Sequence, residues 1–149
     1  MKLNPYLIFA GNAEEALNFY KDALGGTISM LSRYTDNPQF TDADWQQKIM
    51  HSRLEFDGNL LMISDGYKEY AVPDSSNVQL SVEVESVEMI NKVFAKMSDG
   101  GTVLNELQDM FWGARFGMLK DKFGVGWMFN CELKKDDSTG TGKNLDITV

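Results

Sequence analysis

The sequence predicts an α+β fold built from two copies of a βαβββ module, and three observations carry that prediction. A strand, a helix and three further strands are read in the same order twice along the 149 residues. Gly25-Gly26-Thr27-Ile28 recurs as Gly100-Gly101-Thr102-Val103, each time at a helix exit. Gly58-Asn59-Leu60-Leu61-Met62 lies over Gly124-Val125-Gly126-Trp127-Met128, each time at the last hairpin. One echo could be chance, whereas two in the same order argue for duplication.

Residues 3–10 form a short apolar run closed by Gly11-Asn12, as expected of a strand. A helix follows, with Asn12 as its expected cap and Glu15 at the third helical position, as in a capping box. Ala13, Leu17, Tyr20 and Leu24 fall on one face before Gly25-Gly26 ends it. Residues 27–34 read as the second strand. Residues 35–47 are a long polar loop with two aromatics, Phe40 and Trp45, expected to fold over something. Residues 48–57 and 60–64 pair as a hairpin about Asp57-Gly58-Asn59, and residues 67–76 are a linker.

In the second copy, residues 78–84 are a strand and Ser86 caps a helix with Val87, Ile90, Phe94 and Met97 on one face. Asp99-Gly100-Gly101 stops it. Residues 103–107 and the stretch from Phe111 onward supply the remaining strands. The stretch 111–130 gathers Phe111, Trp112, Phe116, Phe123, Trp127 and Phe129 with four glycines, which predicts a hairpin with a tight turn at 121–124. Its aromatics are either core, as is ordinary in buried strands, or the wall of a site. One domain is expected over 1–134, with modules at 1–66 and 77–134. Residues 135–149 read as a polar tail, whose residues 145–149 could dock on a partner's edge strand.

With 43% hydrophobic and 24% charged residues, the chain is long enough to bury a sizeable core. No apolar run approaches the roughly 18 residues of a membrane span, and the N-terminus does not read as a signal peptide, so the expectation is a cytoplasmic protein. A net charge of −8 repels phosphate backbones, and only Lys134-Lys135 interrupts that pattern. Nucleic acid and membrane are therefore not expected partners. The single cysteine, Cys131, can form no internal disulfide and reads as a buried thiol.

The element order, with AGNAEEALNFYKDALGG, KIMHSRLEFDGNLLMISDG and FWGARFGMLKDKFGVGWMFN, resembles the PhnB-like family of the vicinal oxygen chelate (glyoxalase, bleomycin-resistance and extradiol dioxygenase) superfamily. The resemblance covers about residues 3–133, and DKFG followed by W-M-x-N is its most specific part. It implies sheets curled around a cavity, commonly completed in a homodimer. Active members hold a divalent metal with four side chains, and those slots would fall near Pro5, Met62, Asn77 or Gln79, and Met128. Proline has no donor and a thioether suits copper(I) rather than Mg²⁺, Mn²⁺ or Zn²⁺, so no metal and no other cofactor is expected.

The resemblance also places the strand at 48–57 in the cavity wall. Alternation sets His51, Arg53 and Glu55 on one face, with Met50, Ser52, Leu54 and Phe56 on the other, facing the first helix. His51, matching a family histidine, and Glu55 are the catalytic candidates, since imidazole can act as acid or base near neutral pH. The three arginines, Arg33, Arg53 and Arg115, all fall in or beside these strands and suit an acidic ligand group. The expected ligand site is His51, Arg53, Met62, Trp112, Arg115, Phe116, Trp127 and Met128. The functional expectation is a metal-independent binding protein for a small aromatic or amphipathic, anionic molecule. The alternatives are a metal-dependent lyase, isomerase or dioxygenase, recruiting a metal through His51, Glu55 and Asp65, and a structural dimer without ligand.

Overall fold

A computed structural model describes residues 1–69, 72 and 77–134; the expected tail and most of the expected linker lie outside the described residues. In the first module β1 (Tyr6–Phe9) leads to α1 (Ala13–Leu24), then to β2 (Thr27–Arg33), β3 (Ile49–Phe56) and β4 (Asn59–Asp65). The second repeats the order with β5 (Leu80–Glu83), α2 (Val87–Ser98), β6 (Thr102–Asp109), β7 (Ala114–Lys120) and β8 (Gly126–Glu132). The sheets are ordered β1-β4-β3-β2 and β5-β8-β7-β6. In each, the first strand, which leads into the helix, lies parallel to the last, while the other pairs are antiparallel. The fold is the expected duplicated α+β architecture of curled, unclosed sheets.

The helices form where the apolar period demands, and their inward stripes merge into one core. Ala13, Ala16, Leu17, Tyr20 and Leu24 of α1 join Ile90, Val93, Phe94 and Met97 of α2 against Leu54, Ile63, Leu119, Trp127 and Phe129 of the sheets. Val87, expected on that face, is instead exposed in the first turn of α2. The β3–β4 turn is tight because Asp57 (φ 46°) and Gly58 (φ 75°) both take positive φ, as a two-residue hairpin of matching twist requires. Gly117 lets α2 sit directly on β7: a Cβ there would come within 2.8 Å of the Phe94 ring.

Capping departs from expectation at α1. Asn12 makes no side-chain cap bond and Glu15 pairs instead with Lys122 Nζ at 3.5 Å. The helix start is held from β4, where Asp65 Oδ1 accepts from the N–H groups of Gly11 (2.7 Å) and Ala13 (3.0 Å) and Oδ2 from that of Ile49 (3.0 Å). A carboxylate facing the positive end of a helix satisfies its orphan donors and its dipole together. Ser86 caps α2 as expected, its hydroxyl accepting from the Met89 N–H.

A buried knot joins the modules. Tyr20 of α1 donates its hydroxyl to Asp121 Oδ2 at 2.6 Å, and Trp127 Nε1 donates to the same oxygen at 2.9 Å. Oδ1 accepts from the backbone N–H groups of Phe123 and Val125 and so shapes the β7–β8 turn. The loop with Phe40 and Trp45 closes the end of the first sheet: Phe40 packs on Tyr34 and Trp45 Nε1 donates to the Gly66 carbonyl. It does not lie over the aromatic hairpin.

Candidate ligand site on the open sheet faces

Each strand buries one face against the helices and turns the other away from them, so alternation sorts the candidate residues. In β3, Ser52 and Leu54 are buried while His51, Arg53 and Glu55 share the open face, as expected. Cross-strand register then builds a row across the whole sheet: Met30 stands beside Arg53, Arg53 beside Met62 and Met62 beside Tyr6. Next to this row the Tyr6 hydroxyl lies 2.9 Å from His51 Nδ1 and bonds to it, with the rings 5.6 Å apart. The hydroxyl donates when the imidazole carries its proton on Nε2.

The arginines have three different fates. Arg33 is committed to Glu14, with NH1 and NH2 donating to the two carboxylate oxygens at 2.8 and 2.7 Å, and NH1 also reaches the Gln47 carbonyl. This bidentate pair holds the Glu14 carboxyl below its ordinary range, chiefly through the Arg33 hydrogen bond. Arg115 sits on the helix side of β7, its Nε donating to Asn91 of α2 and NH1 to Asp109. Arg53 alone has a guanidinium without a hydrogen-bond or ionic partner among the described residues.

The expected aromatic box is divided. Trp127 is 2% exposed and belongs to the core, hydrogen-bonded to Asp121 and packed against Tyr20. Alternation along β8 is the reason: Trp127, Phe129 and Cys131 face the helices, whereas Met128 and Asn130 do not. Phe116 and Met128 do lie on the open face of the second sheet. Trp112 is not in a strand but in the turn before β7, half-exposed, edge-on to Phe111 and Phe116. The eight expected residues thus occupy three places: His51, Arg53 and Met62 on the first open face, Phe116, Met128 and Trp112 on or beside the second, Arg115 and Trp127 on the helix side. Tyr6 was missed because its significance comes only from its bond to a residue 45 positions away.

Two of the slots that the resemblance implies for a metal hold Met62 and Met128, whose thioethers do not suit a hard or borderline cation. Met62 stands beside Tyr6 rather than Pro5, and Met128 beside Ser81. The Gln79 amide lies against Gly126, its Oε1 buried without a hydrogen-bond partner among the described residues. Asp65 is turned into the core, away from His51 and Glu55, which are themselves about 13 Å apart along the strand at roughly 3.3 Å per residue. Among the described residues no group of three or more His, Cys, Asp and Glu side chains is placed to hold a metal.

Comparison with known proteins agrees with this architecture. Residues 2–129 match the Glyoxalase/Bleomycin resistance protein/Dioxygenase superfamily. The chain is 30% identical over 148 residues to protein YjdN of Escherichia coli, a match covering 87% of this chain and 95% of that protein. Its structure is similar to that of protein PA1353 from Pseudomonas aeruginosa, with a TM-score of 0.81, 40% identity, and 90% and 99% of the two chains covered. It is also similar to a Bacillus cereus protein described as a putative 3-demethylubiquinone-9 3-methyltransferase, PhnB protein, with a TM-score of 0.75, 30% identity, and 88% and 99% covered.

Proposed function

The chain belongs to the Glyoxalase/Bleomycin resistance protein/Dioxygenase superfamily, and from that premise we propose that it is a metal-independent, PhnB-like binding protein for a small aromatic or amphipathic anion. The observation that carries this reading is the Arg53 guanidinium, left without a partner among the described residues in a row with Met30, Met62 and Tyr6. A planar cation flanked by thioethers suits a molecule with a carboxylate or similar group at one end and an apolar body that the adaptable methionines can follow. The Tyr6–His51 pair offers a polar contact beside it. The methionines at the metal slots support metal independence. A homodimer would complete the open faces, and the cytoplasm suits a chain whose one cysteine is a buried free thiol.

Methyl transfer, the activity in the Bacillus cereus protein's description, finds no support in the residues of this chain. β1 runs into α1 through Ala10, Gly11 and Asn12, without the Gly-rich turn that cradles a nucleotide-like cofactor. A second reading, an enzyme of lyase, isomerase or dioxygenase type, draws on the Tyr6–His51 hydrogen bond, an arrangement suited to proton transfer.

Titration with 8-anilinonaphthalene-1-sulfonate, an aromatic anion, tests the binding reading. Saturable binding is expected, weaker by about tenfold to a hundredfold in Arg53→Ala, as for loss of a charge-assisted bond, and unchanged in Arg115→Ala. Equal affinity in Arg53→Ala would remove the site, and absence of saturable binding across a broader ligand screen would leave the structural dimer. Elemental analysis tests the metal: close to one Ni, Zn, Fe or Mn per subunit would overturn metal independence and favour the enzyme.

A further inference from the structure

A cavity of about 530 Å³ lies not on either open face but at the seam where β4 of the first module approaches β5 of the second. Its lining includes Leu61, Leu80, Val82 and Trp127, all residues whose strand parity turns them to the core side, and its size is that of a small-molecule site. The edge strand of the second sheet meets there the end of β4 that lies beyond its pairing with β1. Among the described residues β5 pairs only with β8, and because the Val84 N–H bonds to the Asn130 carbonyl, alternation points the N–H and C=O groups of Ser81 and Glu83 away from β8. On the other side, the Met62 N–H bonds to the Pro5 carbonyl, so Leu60 directs its own N–H and C=O toward β1. The next ladder bond would need an N–H from residue 5, and proline has none. The backbone groups of Leu60, Ser81 and Glu83 accordingly have no backbone partner among the described residues, and all three residues line the cavity.

A slot with one apolar wall and unpaired backbone groups along its border fits an extended amide chain better than a compact hydrocarbon, since only the former returns hydrogen bonds at alternate residues. The charged lining residues are one of each sign, Lys2 and Glu83, which suits a chain with an ammonium at one end and a carboxylate at the other rather than a simple anion. We propose that this seam binds a short apolar peptide of three or four residues, which adds as a strand to the free edge of β5 and lodges its side chains against Leu61, Leu80, Val82 and Trp127. The four residues of β5 span about 13 Å at roughly 3.3 Å each, which sets the length of the peptide.

The tripeptide Leu-Val-Leu and the same peptide N-methylated at both internal amides form the test, read by fluorescence of Trp127 in the Trp45→Phe, Trp112→Phe protein and by amide exchange. The unmodified peptide is expected to saturate the signal and to slow exchange at Ser81 and Glu83. N-methylation should weaken binding at least tenfold, because it removes the donors. Ser81→Pro, a substitution an edge strand tolerates, should weaken it similarly with the circular dichroism unchanged; if that variant does not fold, the N-methylated peptide decides. Equal binding of both peptides, no saturable signal, or Ser81 and Glu83 amides already protected in the ligand-free protein by a second copy or another segment of the chain would each overturn the proposal. Binding of 8-anilinonaphthalene-1-sulfonate at Arg53 is read separately by Arg53→Ala and is expected to survive peptide saturation.

Discussion

At the scale of single residues, the two tryptophans of the aromatic hairpin separate core from surface. Trp127 is 2% exposed and Trp112 51% exposed. Trp127→Ala is therefore expected to cost about 3 to 5 kcal/mol, since it empties a packed site and strips a donor from Asp121. Trp112→Ala should cost no more than about 1 kcal/mol, the worth of its edge contacts with Phe111 and Phe116. Urea unfolding of both variants checks the pair, and equal losses would contradict the division of the hairpin. Tyr20 carries a pH signature. Burial first, and then the Asp121 carboxylate beside it, push its phenol well above the ordinary 10.0. Because the folded value is raised, the stabilisation is fully present below about pH 10 and falls away as pH rises, since the unfolded chain gives up the proton while folded Tyr20 keeps it. Unfolding free energy measured from pH 8 upward should decline beyond pH 10 in the native protein and decline less in Tyr20→Phe.

Elements depend on partners outside themselves, and α1 is the plainest case. Its N-terminal donors are met by Asp65 at the end of β4, not by the adjacent Asn12. Asn12→Ala is thus expected to change stability by no more than about 0.5 kcal/mol. Asp65→Ala, which leaves the Gly11, Ala13 and Ile49 N–H groups unpaired, should cost about 3 kcal/mol or more. Denaturation midpoints of the two variants test this directly, and a cost at Asn12 matching that at Asp65 would refute it. The helix and strand periods of these elements were legible in the sequence because they are local: alternation placed His51, Arg53 and Glu55 on one face of β3, and the 3.6-residue period placed Leu17 and Tyr20 on the buried side of α1. The start of β7 was not. Phe111 and Trp112 read as strand by propensity, but Gly113 at φ 84° turns the chain there and pairing begins only at Ala114.

For the whole molecule, both sheets present one face to the shared core, and among the described residues no helix covers the other. Tyr6 (42% exposed), Ile8 (39%) and Met30 (42%) lie on strands of the first sheet, an apolar surface that a second copy would remove from water. Sedimentation at micromolar concentration should give twice the 16.8 kDa chain mass, and Met30→Lys should shift it toward monomer. A native protein that sediments cleanly as a monomer would contradict the homodimer.

The sequence by itself determined the duplicated βαβββ order, the turns at Asp57-Gly58 and 121–124, the core stripe of α1 and the sidedness of β3, because period, propensity and turn chemistry act over a few residues. Tertiary structure alone decided which of three chemically identical arginines remains unpaired among the described residues, since Arg33 and Arg115 find Glu14 and Asn91 only after the chain folds back over 19 and 24 residues. It likewise decided that Trp127 is a strut between the modules: its partner network reaches Tyr20 through Asp121, 101 residues along the chain, and hydrogen bonds of that span leave no local trace.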